Sequence, residues 1–229
     1  NIPDLPEWGT ISNIEPSRYD AASAYVSVDY HQMNNRDPYV YKTEDYGQSW
    51  RSISSDIPRS VFSYVHWVHE DPVRQGLLYL GTENAIYASF NDGESWLPLQ
   101  NNLPHAPVHT MVVQEHFNDL VVATYGRGFW ILDDITPLQQ LTDEVLASDA
   151  HLFVPRPTYR MHGQTGGPRA NSTAYINYYL SEGPDGDVGI EILDGAGEVV
   201  NTLKGTKTIG INRVSWNLRH KPANQARLR

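Results

Sequence analysis

Carboxylates, histidines and one arginine are the side chains in this sequence whose types and spacing bear on chemistry. Two pairs of acids are adjacent, Asp133-Asp134 and Glu70-Asp71, and Glu83 follows Gly81-Thr82. Hydrolysis of a glycosidic bond needs two carboxyl groups facing each other across a cleft, about 5–10 Å apart. Neighbours on a strand point to opposite faces, so Asp133-Asp134 reads as a turn. Glu70-Asp71 stands ahead of Pro72 and reads as the loop after a strand. Glu83 is the acid placed to face a ligand. Arg127 lies between Gly126 and Gly128 and beside Tyr125. Such glycines allow close backbone approach, which makes Tyr125 and Arg127 ligand-facing candidates; the plainer reading is a turn with Arg127 in a salt bridge.

The 9 histidines raise the question of a metal. His66 and His69 are three apart, and His105 and His109 four apart, spacings that share a face only on a helix. Both segments read as strand and loop, so no metal is expected. The count of 0 Cys excludes disulfides, thiol catalysis and Cys-ligated zinc. No glycine-rich loop leads from a strand into a helix, so no cofactor is expected either. Tyr25, Tyr39, Tyr64, Trp67, Tyr79, Tyr125, Phe129 and Trp130 suffice to line a sugar-stacking cleft, but read more simply as core. No catalytic residue is identifiable. The net charge of -10 argues against nucleic acid, and no apolar run is long enough to span a membrane.

The elements that position these residues repeat. Thr43-Glu44-Asp45-Tyr46-Gly47-Gln48-Ser49-Trp50 and Ser89-Phe90-Asn91-Asp92-Gly93-Glu94-Ser95-Trp96 share one pattern: hydroxyl, x, Asp/Asn, x, Gly, x, x, Trp. The two tryptophans are 46 residues apart. Leu78–Tyr87 aligns with Leu120–Trp130, and apolar runs precede each at Tyr64–Val68 and Val108–Val113. An earlier copy is Ala24–Asp29. A period of 42–46 residues with several short β-rich runs per unit is the pattern of propeller blades. About three blades are expected over residues 1–135. A ring so incomplete would expose strand edges, so the remaining blades are expected from the same parent protein or from another chain.

The eight-residue pattern resembles the Asp-box, or BNR repeat, of sialidases, xyloglucanase-like glycosidases and sortilin-type (VPS10-like) receptors. In each box the Asp or Asn side chain is expected to accept backbone N–H groups. The glycine is expected to take positive φ, and the tryptophan to cover the hairpin. Thr43, Asp45, Gly47, Trp50, Ser89, Asn91, Gly93 and Trp96 are thus structural. In the resembling families the boxes lie at the blade periphery, so neither Asp45 nor Asp92 is a catalytic candidate.

Past the decayed third copy at Ile131–Ile135, Thr136–Leu146 reads as one helix with Thr136 as its cap and Pro137 in the first turn. Residues 154–171 read as a linker, which makes 136–171 a helix-and-linker segment. Strand signals return at Thr173–Leu180, Val188–Asp194, Glu198–Leu203 and Gly210–Leu218. This 172–229 segment resembles the Ig-like or fibronectin-like module behind many secreted bacterial propellers, on its Gly-x-Asn-x-Val-x-Trp-x-Leu run. It holds only part of the strands of a sandwich.

The expected fold is all-β: blades of an incomplete Asp-box β-propeller, then a partial Ig-like sandwich. The resemblance implies the C-terminal part of a secreted, periplasmic or surface-exposed bacterial protein. It implies a binding or scaffold role toward a polysaccharide or a peptide. The alternative is a portion of a BNR-repeat glycoside hydrolase, xyloglucanase-like or sialidase-like. The N-terminal Arg motif and Arg triad of sialidases are not found.

Overall fold

The structure is a computed structural model that describes residues 2, 5–159 and 173–220. Of the linker expected over 154–171, residues 154–159 carry no helix or strand and the remainder lies outside the described residues. The chain divides into two compact units, Asn1–Ile135 and Thr136–Arg229.

The first unit is built of antiparallel meanders. Strands β1 (Thr10–Pro16), β2 (Ala24–Asp29), β3 (Tyr39–Thr43) and β4 (Arg51–Ser52) form one four-stranded sheet in chain order. Strands β5 (Val65–Glu70), β6 (Leu78–Thr82), β7 (Ile86–Ser89) and β8 (Leu97–Pro98) form a second. Strands β9 (Val108–Gln114), β10 (Asp119–Thr124) and β11 (Gly128–Leu132) form a third, with β10 central. Successive up-and-down sheets of this kind, packed face to face, are propeller blades.

Burial follows from that packing. Every residue of β6 is buried, because the second sheet has a neighbour on each face. In β9, Val108, Met111 and Val113 are buried while Val112 and Gln114 are exposed, the alternation of a sheet covered on one side. A shared core of Tyr25, Val40, Ile53, Ile57, Val65, Val68, Leu78, Leu80 and Trp96 joins the first two blades. Polar ties run beside it: Asn13 accepts the Val68 N–H at 3.1 Å, and Glu15 pairs with His69 at 2.7 Å. Gly81 is a packing requirement. A Cβ there would lie 2.6 Å from Val108 Cγ1 and 2.8 Å from its carbonyl oxygen, so only glycine lets β9 close on β6.

In the second unit the single helix expected over 136–146 is two helices, α1 (Thr136–Gln140) and α2 (Asp143–Leu146). Thr142 is the reason: its hydroxyl accepts the Val145 N–H at 3.4 Å, and Asp143 and Glu144 occupy the first turn, so a new helix starts there. Thr136 lies inside α1 rather than ahead of it as a cap. Strand β12 (Ala150–Leu152), not expected from sequence, pairs with β13 (Ala174–Leu180), which pairs in turn with β16 (Gly210–Trp216). Strands β14 (Gly189–Leu193) and β15 (Val199–Lys204) form a separate hairpin. Its turn is held by Asp194, whose Oδ1 accepts the N–H groups of Ala196 and Glu198. The last strand stops before Leu218, which has φ 58°.

Candidate functional site

The first strands of the three blades, β1, β5 and β9, share an irregularity. In β1 the pairing passes from Ile11–Val28 to Asn13–Ser27 and skips Ser12. In β5 it passes from Val65–Thr82 to Trp67–Gly81 and skips His66. In β9 it passes from Val108–Thr124 to Thr110–Ala123 and skips His109. Each blade therefore carries a β-bulge at the same place, near the start of its first strand. A bulge bends the strand and re-aims the side chain it carries. The Ser12 hydroxyl donates to the Val65 carbonyl of the next blade at 3.1 Å.

Beside these bulges lie the loops that leave the second strand of each blade. Glu83 follows β6, and its N–H donates to the Tyr64 carbonyl at 3.2 Å. Tyr125 follows β10, and its N–H donates to the Pro107 carbonyl at 2.9 Å. Glu83 and Tyr125 thus hold equivalent positions in successive blades. Asp29 and His31 stand at the corresponding end of β2.

Together these residues form a row of rings. His31 stacks on Tyr64 with centroids 5.0 Å apart, and Tyr64 meets His66 edge-on at 5.3 Å. His66 stacks on His109 at 4.4 Å and 21°, and His109 lies 5.7 Å from Tyr125. Arg36 sits over Tyr64, 5.3 Å from its centroid. Each carboxylate in the row is held by a histidine: Glu83 Oε2 lies 2.8 Å from His66 Nε2, and Asp29 Oδ2 lies 2.5 Å from His31 Nδ1. The donor atoms of His66, Glu83 and His109 all lie within 4.8 Å of one another.

Electrostatics follow from this crowding. Burial first, then Glu83, pushes the Tyr64 hydroxyl up to about 12, so it stays a donor at neutral pH. Burial first, then the neighbouring His66, holds the His109 imidazole below its ordinary value. The His109 ring is therefore uncharged at neutral pH. His109 and Tyr125 are exposed at one end of the row, Tyr64 is buried within it, and the carboxylates of Asp29 and Glu83 lie among the rings. The row can stack on flat apolar surfaces, accept hydrogen bonds and hold a cation.

Of the residues singled out from sequence, Glu83 and Tyr125 enter this row from different blades. Arg127 does not: it is exposed, and among the described residues no ion pair is found for it. Its carbonyl accepts the Trp130 indole N–H at 3.0 Å. Gly126 and Gly128 have φ of 81° and 74°, and nothing lies within 4 Å of a Cβ placed on either. These glycines serve the turn's left-handed backbone and not a close approach.

The eight-residue boxes are turns. Asp45 Oδ1 accepts the Ser49 N–H at 2.8 Å, and the Thr43 hydroxyl accepts the Gly47 N–H at 2.9 Å. Asn91 Oδ1 accepts the Ser95 N–H at 2.9 Å, and the Ser89 hydroxyl accepts the Gly93 N–H at 2.9 Å. In each, two successive residues take positive φ: Tyr46 and Gly47, then Asp92 and Gly93. One of the two tryptophans does more than cover its hairpin. Trp96 crosses to the preceding blade and donates its indole N–H to the Ile53 carbonyl at 2.7 Å, whereas Trp50 donates to Gly47 of its own turn at 3.1 Å. Asp92 is drawn into an inter-blade network with Lys42 at 2.5 Å, Arg51 at 2.9 Å and the Tyr25 hydroxyl at 2.7 Å. Tyr25, Lys42 and Asp92 border a cavity of about 370 Å³.

The histidine pairs that spacing raises, His66 with His69 and His105 with His109, do not meet in the structure, as their reading as strand and loop implies. His69 is bound to Glu15 of the preceding blade, and His105 lies 3.1 Å from the Asn84 carbonyl. His66 belongs with His109. A signal was present: both follow a valine at the head of the corresponding repeat run, Val65-His66 and Val108-His109.

No family model matches this chain, and no curated protein matches it. Among solved structures, a GH74 enzyme from Niastella koreensis aligns over 85% of this chain and 30% of its own, at 14% identity and TM-score 0.45. The GH74 xyloglucanase from Xanthomonas campestris aligns over 74% and 27%, at 12% identity and TM-score 0.40. YCF48 bound to D1 peptide aligns over 85% and 53%, at 13% identity and TM-score 0.33. The chain thus spans well under two thirds of the length of each.

Proposed function

We propose that this chain is a segment of a secreted bacterial Asp-box propeller protein of the sortilin-like type, whose blade-end face binds a polysaccharide. The ring row from His31 through Tyr64, His66 and His109 to Tyr125 carries this reading. Aromatic and imidazole faces beside a few fixed polar groups suit the alternating flat and hydroxylated surfaces of sugar rings. Tyr125, 75% exposed, is the contact most available to a ligand. A peptide is the second ligand class this face suits.

The remaining propeller blades, from the same parent or another chain, would cover surfaces that are apolar here. Phe129 is 79% exposed on β11, and Val112 is 54% exposed on β9. Trp50 supports the same view at the first blade, since its partner in the second reaches a preceding-blade carbonyl. The 172–229 segment is read as a partial Ig-like module on its alternating β13–β16 strands.

The test is titration of the protein with soluble xyloglucan, other β-glucans, sialylated glycans and unstructured peptides, followed by calorimetry, with reducing-sugar release measured alongside. Saturable polysaccharide binding without turnover, weakened about tenfold or more by Tyr125→Ala, is the expected result. Turnover abolished by Glu83→Gln would instead establish the glycoside hydrolase reading. Peptide binding alone would establish the receptor-like one. Polysaccharide affinity indifferent to Tyr125→Ala would remove the ring row from the binding face.

A further inference from the structure

We propose that His66, Glu83 and His109 form a binding site for one divalent transition-metal ion of the zinc class. Three observations carry it. The donor atoms come from two blades yet lie within 4.8 Å of one another, so one ion can reach all of them. Both histidines sit on β-bulges at equivalent places in β5 and β9, which turns side chains from separate strands toward a common point. Gly81 then allows Val108, and with it His109, to close on the second blade.

The donor set selects the ion. Two imidazoles and one carboxylate suit zinc, copper, nickel or iron better than calcium or magnesium, which prefer oxygen ligands throughout. Imidazole binds a metal in its neutral form, so the liganded set carries a single negative charge, which a divalent cation converts to a positive one. Three protein ligands leave a fourth position for water or an incoming oxygen ligand, the arrangement of open zinc sites. Glu83 Oε2 already lies 2.8 Å from His66 Nε2, so two of the three donor atoms meet before any ion arrives. His66 and Glu83 are partly buried while His109 is exposed, so an ion has a way in. The site shares His66, Glu83 and His109 with the ring row, but it rests on donor geometry and needs no sugar.

The experiment uses the full chain, stripped with a chelator and with no glycan present. Zn²⁺ is titrated in competition with a chromophoric chelator, and Co²⁺ serves as a visible-spectrum probe. One ion per chain is expected, with a Co²⁺ spectrum of four- or five-coordinate nitrogen and oxygen ligation. His109→Gln and Glu83→Gln should each weaken Zn²⁺ about tenfold or more, while His116→Gln on the β9–β10 hairpin leaves the affinity unchanged. Circular dichroism of each variant checks the fold, and His109 is exposed enough that its variant is expected to fold. Absence of stoichiometric Zn²⁺ or Co²⁺ binding by the unaltered chain would overturn the proposal. So would undiminished binding by a His66→Ala, His109→Ala double variant, or equal weakening by His116→Gln.

Discussion

Asp45 and Asn91 fill the same role in the two boxes, and this explains which substitutions that position accepts. Each uses one side-chain oxygen to accept the N–H four residues on, and each also meets the serine hydroxyl there. The role therefore needs an acceptor oxygen in fixed geometry and not a charge. Asp45→Asn should keep the turn, whereas Asp45→Ala should lower the urea midpoint, because the Ser49 N–H loses its partner. The charge adds a dependence on pH. The Ser49 hydroxyl first, and then its N–H, hold the Asp45 carboxyl below its ordinary 3.8. A lowered folded-state value contributes stability above the unfolded value, and that contribution is lost as pH falls through the folded one. The stability difference between the unaltered chain and Asp45→Asn should thus close on acidification below about pH 4, as read from urea midpoints taken across that range.

Elements in this protein hold each other across blade boundaries, and the two box tryptophans show how unequal that can be. Trp96 is 5% exposed, belongs to the core shared by the first two blades and bonds the Ile53 carbonyl. Trp50 is half-buried at the other side of the first blade and bonds within its own turn. Trp96→Phe leaves a buried carbonyl without a partner and a void beside Ile53, at a cost of about 1–3 kcal/mol. Trp50→Phe should cost about 1 kcal/mol or less. Equilibrium unfolding of the two variants tests this, and equal losses would mean that the inter-blade contact is no stronger than the hairpin's own.

For the whole molecule, the uneven covering of the sheets matters most. β6 is buried on both faces, while the third blade leaves Val112, Phe129 and Ile131 exposed. Apolar surface left in this way recruits other chains. The isolated chain should therefore self-associate as its concentration rises and bind an apolar dye. Phe129→Ser should reduce both, as followed by sedimentation velocity and dye fluorescence. A monodisperse chain that ignores the dye would show that the exposed strands are tolerated as they are. The charge of -10 opposes such association at low salt, so salt should strengthen it.

What the amino-acid sequence determined by itself is the part governed by short-range rules. The boxes are legible because hydroxyl, acceptor and glycine act within eight residues. The blade period is legible because each blade repeats the same run of strands and turns. The hairpin at Asp194 is legible for the same reason. A split between α1 and α2 was also within reach, since Thr142 is a capping residue ahead of two acids. Tertiary structure decided the rest. His66 and His109 lie 43 residues apart, and only the stacking of two blades, each bulged at the head of its first strand, brings their rings to 4.4 Å. Spacing along the chain relates His66 only to His69 and His109 only to His105, and it says nothing of partners a whole repeat away. In a propeller the first strands of successive blades stand side by side, so groups that meet at the site are separated by a whole repeat. The same reason sends Trp96 to Ile53 and Asp92 to Lys42: the partner lies one blade back, where no local pattern can point.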